Sequence, residues 1–149
     1  GRALARDRGA TIVLTGSTTD RPAIDFVRAA MPDVLVIDAG GAVELTTLTA
    51  LVGELDLLIT GDTGPMHLAA AVDTPIVALF GPSNPARYGP RGRRERILRI
   101  DLPCSPCGQV RLPPERCRGH VPDCLDGISV ATVVAAAIDI LDQSSGQRR

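Results

Sequence analysis

A chain of 149 residues, 44% of them hydrophobic, has the length and apolar content of one ordinary domain with a real core. With 16 basic and 17 acidic residues the formal net charge is −1, so no overall basic field favours nucleic acid. Aromatic residues make up 2%, too few for the stacking platforms that hold single-stranded nucleic acid.

In chain order, the residues from Gly1 to Arg8 read as the end of a helix capped by Gly9. The chain therefore reads as a piece of a longer protein. Thr11 to Thr15 is a short β-branched run closed by Gly16, a first strand. Ala23 to Ala30 is helical in pattern, with Pro22 near its first turn. Val34 to Ile37 is a second strand, broken by Asp38-Ala39-Gly40-Gly41. Apolar residues at 45, 48, 51, 52 and 55 have helical spacing. Leu57 to Ile59 is a third strand, Met66 to Val72 a helix, and Ile76 to Phe80 a fourth strand. Arg96 to Ile100 reads as a fifth. Ser129 to Leu141 is the last helix, with Ser129 as its N-cap. The tail Gln143 to Arg149 is polar and expected to fray. No apolar run approaches the ~18 residues of a membrane span. The basic run Arg87 to Arg99 reads first as a solvated loop.

These strands are apolar on both faces rather than alternating, the pattern of a parallel sheet covered by helices on both sides. Strand and helix alternate, so the class is α/β, Rossmann-like, in a single domain over 1–149. Ligands of such sheets sit at the edge where the strands end.

Two turns are placed for that edge. After the third strand, Gly61-Asp62-Thr63-Gly64 leads into a small-residue helix. Free N–H groups and the dipole at a helix start attract an anion, typically a phosphate. Asp62 cannot bind phosphate itself and is read as a cap or as a brace for the turn. His67, three residues past Gly64, can reach forward to the same anion. After the fourth strand comes Gly81-Pro82-Ser83-Asn84-Pro85, placing Ser83 and Asn84 beside the first turn. Asp20, after the first strand, suits either a ribose contact or a plain N-cap before Pro22. Met66 and Leu45 are read as core or as the lining of a pocket for the base.

A second constellation is Cys104-Ser105-Pro106-Cys107, then Cys117 and Cys124, with His120 near. Its gaps after Cys107, nine and then six residues, are irregular for a zinc ribbon. Free thiols, a structural zinc on Cys104, Cys107, Cys117 and Cys124, and two disulfides all stay open. None makes the segment at 104–124 catalytic.

The run Asp62-Thr63-Gly64, His67-Leu68, Ala69 to Ala71, then Phe80-Gly81-Pro82-Ser83-Asn84-Pro85 resembles the nucleotide-sugar-binding signature of glycosyltransferase family 9, the lipopolysaccharide heptosyltransferases. The resemblance continues more loosely from about Gly9 to Leu141. It implies the C-terminal half of a GT-B glycosyltransferase, which binds a nucleotide-activated sugar such as ADP-heptose. Transfer would invert the anomeric centre and go to a lipopolysaccharide-core or other glycan acceptor. The resemblance places Asp62, Thr63, Gly64 and His67 at the donor diphosphate, with Asp20, Ser83, Asn84 and Met66 as further donor contacts. It places the general base in an N-terminal domain, so no catalytic residue is expected in this chain and little transferase activity from it alone. No cofactor is required. The implied partners are the donor and a glycan or glycolipid acceptor, not nucleic acid. The implied place is the cytoplasm, with peripheral contact at the inner face of the bacterial inner membrane. The competing reading is a non-catalytic nucleotide-binding or scaffolding module held together by the cysteine segment. A nicotinamide dehydrogenase ranks third, because Gly16-Ser17-Thr18-Thr19-Asp20 lacks the Gly-x-Gly-x-x-Gly turn.

Overall fold

The computed structural model describes residues 1–41, 43–108, 117 and 123–147. They fall in two compact units, Gly1–Leu48 and Thr49–Arg149. No helix among them is long and apolar enough to cross a membrane.

The first unit starts with helix α1, Arg2–Arg8, which ends at Gly9. Gly9 has φ +63°, a left-handed conformation that glycine adopts without a Cβ penalty, and its N–H returns to the Leu4 carbonyl. Strand β1, Ile12–Leu14, pairs in parallel with β2, Val36–Asp38. The strand predicted to start at Val34 begins two residues later, because Val34 N–H closes a turn onto the Met31 carbonyl at 3.3 Å. Between the strands lie a 3₁₀ turn, Thr18–Asp20, and helix α2, Arg21–Ala29. Leu4, Ile24, Met31 and Ala39 are buried. Arg21 of α2 fastens to Asp38 at the end of β2: Nη1 to Oδ1 is 3.0 Å and Nη2 to Oδ2 is 2.7 Å. Helix α3, Leu45–Gly53, runs across the division between the units.

The second unit holds strands β3, Leu58–Gly61, β4, Ile76–Leu79, and β5, Glu95–Leu98. They form one ladder in the order β3-β4-β5, all parallel. The five predicted strands thus lie in two parallel ladders, one of two strands and one of three. Ile76, Val77 and Ala78 are each 0% exposed, so both faces of the central strand β4 are covered. Helix α4, Gly64–Ala71, packs on β3 and β4, and helix α7, Val130–Gln147, packs on β4 and β5. Phe80, Met66, Ile140 and Val52 are the other large side chains fully withdrawn from solvent. Two short helices, α5 at Pro85–Tyr88 and α6 at Asp123–Asp126, complete the unit.

Two expectations are corrected here. Helix α7 does not stop near Leu141 but continues to Gln147. Ser144 is buried, donates to the Ile140 carbonyl at 2.9 Å and receives Arg94 Nη1 at 3.0 Å, which holds the added turn in place. Nor is the basic run a free solvated loop throughout. Arg96 pairs with Asp139 at 2.6 Å, and Arg99 bonds the Ser105 carbonyl at 3.1 Å and pairs with Asp101 at 3.4 Å.

Candidate functional site

The register Thr60↔Ala78 and Gly61↔Leu79 sets the ends of β3 and β4 side by side. The turn at Asp62-Thr63 and the turn at Phe80 to Asn84 therefore open on the same edge of the ladder. Phe80 N–H continues the pairing to the Leu98 carbonyl at 2.9 Å, so Arg99 follows on that edge too.

Thr63, not Asp62, is the N-cap of α4, in extended backbone and with no capping bond from its side chain. Its hydroxyl meets Thr60 Oγ1 at 3.1 Å and the Gly61 carbonyl at 3.4 Å. The second bond is long and weak, so an arriving anion competes with it easily. Pro65 brings no N–H, and Met66 N–H turns back to the Thr63 carbonyl at 3.1 Å. The donors that this helix end presents are thus the N–H groups of Thr63 and Gly64. A Cβ on Gly64 would meet nothing within 4 Å, so its backbone is open to close approach. Asp62 is half-buried, while Thr63, Gly64 and His67 are exposed. His67 lies in the first turn of α4, whose buried residues Met66 and Ala69 face the core. Met66 has no exposed surface at all, so its place is beneath the turn as packing. Leu45 is largely exposed, which makes it neither core nor the wall of a closed pocket.

In the second turn, Asn84 caps α5 by accepting the Ala86 N–H at 2.9 Å, and Ser83 is buried. Gly81 is walled in: a Cβ there would sit 2.7 Å from Leu125 Cγ and 3.0 Å from Cys124 Sγ. Ser105 Oγ donates to the Gly81 carbonyl at 2.8 Å, and Gly108 N–H to the Pro82 carbonyl at 2.7 Å. Sequence reasoning missed these tethers.

Asp20 belongs to the first unit. Its Oδ2 accepts the Ser17 N–H at 2.8 Å and the Ser17 hydroxyl at 2.7 Å, which closes a capping box around the 3₁₀ turn. These two bonds hold its carboxyl below the usual carboxylate range. Asp20 occupies the N-cap position of α2, but its side chain makes no capping bond to that helix; the carboxylate braces the preceding 3₁₀ turn through Ser17 instead.

The four cysteines are free thiols: Cys124 buried, Cys104 and Cys117 half-buried, Cys107 exposed. Burial first, then repulsion from the other three thiols, pushes the Cys124 thiol up. Among the described residues no three Cys, His, Asp or Glu are arranged to hold a metal ion. His120 lies outside the described residues.

The family model of glycosyltransferase family 9 (heptosyltransferase) matches residues 2–115. Lipooligosaccharide heptosyltransferase 2 of Haemophilus influenzae is 32% identical over 96 residues, 62% of this chain and 28% of that protein. Lipopolysaccharide heptosyltransferase 1 of Pseudomonas aeruginosa is 33% identical over 102 residues, 68% of this chain and 28% of that protein. The chain thus spans 28% of the length of these curated relatives. Among solved structures, E. coli ADP-heptose lps heptosyltransferase II superposes with a TM-score of 0.79 at 25% identity, covering 96% of this chain and 40% of that one. A glycosyl transferase family 9 structure from Veillonella parvula gives 0.73 at 31% identity, covering 91% and 37%. With its family model matched over most of its length and its α/β fold shared with these enzymes, the chain belongs to glycosyltransferase family 9.

Proposed function

We propose that this chain forms the donor-side part of a glycosyltransferase site and binds the nucleoside diphosphate of an activated sugar, ADP-heptose or a close analogue. The observation that carries this is the shared edge: the Asp62–Gly64 turn and the Gly81–Asn84 turn open side by side, with exposed His67 one helical turn behind. A leaving diphosphate develops negative charge as the glycosidic bond to it breaks. Donors already aimed at that charge lower the barrier, because they need no reorganisation. Thr63 and Gly64 N–H groups, the Thr63 hydroxyl and the His67 imidazole are the donors, and Asp62 shapes the turn that presents them. Exposed Asn84 borders the sugar side, buried Ser83 backs the same turn, and Met66 supports the Asp62–Gly64 turn from below.

On this reading the acceptor is the core of lipopolysaccharide or another glycan, the transfer inverts the anomeric centre, and the general base comes from a part of the protein outside this chain. The printed names of the relatives, heptosyltransferases of lipopolysaccharide and lipooligosaccharide, support that acceptor class. The site needs no cofactor, since the helix end and basic side chains balance the diphosphate charge. A zinc ion on the cysteines would be structural, and metal analysis of the purified chain checks for it. The work belongs to the cytoplasmic face of the bacterial inner membrane, reached by peripheral contact.

Calorimetric titration of the purified chain with ADP tests the proposal. Saturable binding that His67→Ala weakens is the expected result. No binding to the folded chain overturns it.

A further inference from the structure

We propose that Ser105 is a positioning residue for the donor turn, acting through the Gly81 carbonyl; this rests on the donor-site reading above. The turn from Gly81 to Asn84 leaves β4 with few local restraints, since the bonds among its own residues and α5 engage only Asn84 and those after it. What holds its first half comes from residues 24 or more positions on. Ser105 Oγ takes the Gly81 carbonyl at 2.8 Å. Gly108 N–H takes the Pro82 carbonyl at 2.7 Å, from a residue at φ +68°. Arg99 Nη2 donates to the Ser105 carbonyl at 3.1 Å, so Ser105 is itself fixed from the end of β5. On the other side Leu125 and Cys124 fill the space where a Gly81 side chain would be. The first half of the turn is thus gripped between the Cys104–Gly108 segment and α6. The Cys104–Gly108 segment, which offers no metal set among the described residues, acquires a role: it fixes the Gly81–Pro82 half of the turn that presents exposed Asn84 to the donor.

Three variants of the full chain decide this, read by ADP titration and by hydrogen exchange at the Gly81, Ser83 and Asn84 amides. Ser105→Ala removes the hydroxyl. Ser105→Thr keeps it. Thr74→Val deletes a comparable bond, Thr74 Oγ1 to the Val52 carbonyl at 2.8 Å, at the opposite end of β4. The expected result is that Ser105→Ala weakens ADP binding about fivefold, the size of one hydrogen bond, and speeds exchange at the turn. Ser105→Thr restores both, and Thr74→Val moves neither beyond about twofold. If Ser105→Ala leaves turn exchange unchanged, or Thr74→Val alters it equally, the positioning role is overturned. If the wild-type chain binds no ADP while Ser105→Ala still loosens the turn, the donor-site reading falls and the tether stands.

Discussion

Arg21 grips Asp38 through two parallel hydrogen bonds, 3.0 and 2.7 Å, and the same guanidinium reaches Asp25 Oδ1 at 2.7 Å. The fork joins the start of α2 to the end of β2, and the Gly40 N–H adds a third bond to Asp38 at 3.1 Å. Arg21 first, then Gly40, hold the Asp38 carboxyl at about 2, below its ordinary 3.8. A depressed folded value contributes stability above the unfolded value and loses it as pH falls through the folded one. Thermal melting from pH 6 downward is therefore expected to show a loss between about pH 4 and pH 2 that Asp38→Asn lacks. A carboxyl carbon of Asp38 titrating by NMR at the ordinary aspartate value removes the basis for this window.

The core beneath the donor turn gives a second expectation. Met66 is 0% exposed and lies on the α4 face against β3 and β4. Truncation to alanine removes packed atoms and leaves a cavity, so Met66→Ala is expected to cost about 2–5 kcal/mol in urea unfolding. Met66→Leu keeps the volume and is expected to cost under about 1.5 kcal/mol, with ADP affinity little changed. Were Met66→Leu to abolish ADP binding while leaving stability intact, Met66 would be a ligand contact rather than packing.

How much of this was legible in the sequence depends on the range of the force involved. Strand β4 was plain, because Ile76, Val77 and Ala78 are apolar in succession and all buried. The Gly9 cap, Pro22 in the first turn of α2 and the Ser129 cap, whose Oγ accepts the Thr132 N–H at 3.1 Å, are local chemistry within a few residues. Helices α5 and α6 and the 3₁₀ turn are too short to show a period. The added turn of α7 rests on Arg94 reaching Ser144, 50 residues away, and no spacing announces such a bond. The same holds for Ser105 and Gly81. In the candidate site, the strand, turn and helix around Asp62-Thr63-Gly64 were legible. That Thr63 rather than Asp62 would cap α4, and that Asp20 would be spent on Ser17, depended on backbone angles that the sequence does not print.

Thr74 supplies a third expectation. Its hydroxyl is buried and donates to the Val52 carbonyl at 2.8 Å, tying the end of α3 to the entry of β4. The carbonyl also receives Leu55 N–H at 3.2 Å, so it is not orphaned when the hydroxyl goes. Thr74→Val is expected to cost about 1 kcal/mol rather than the larger penalty of an unsatisfied buried group. Chemical denaturation giving a loss above about 3 kcal/mol would mean that the Leu55 bond does not substitute.

The donor turn itself is tested by contrast. On the proposed donor-site reading, Gly64→Val adds a branched side chain where the backbone N–H groups of Thr63 and Gly64 would face a phosphate. The backbone at Gly64 is not in the left-handed region, and a Cβ there meets nothing within 4 Å. The folded chain therefore tolerates the substitution, and any loss of binding comes from bulk at the ligand's own position. Asp20→Ala removes the two bonds to Ser17 and frees the 3₁₀ turn, an effect confined to the first unit's local structure. Calorimetry with ADP, after melting curves confirm that both variants are folded, is expected to show at least a tenfold loss for Gly64→Val, about 1.4 kcal/mol, and a smaller one for Asp20→Ala. Equal losses, or full affinity in Gly64→Val, would mean that the phosphate does not rest on this helix end.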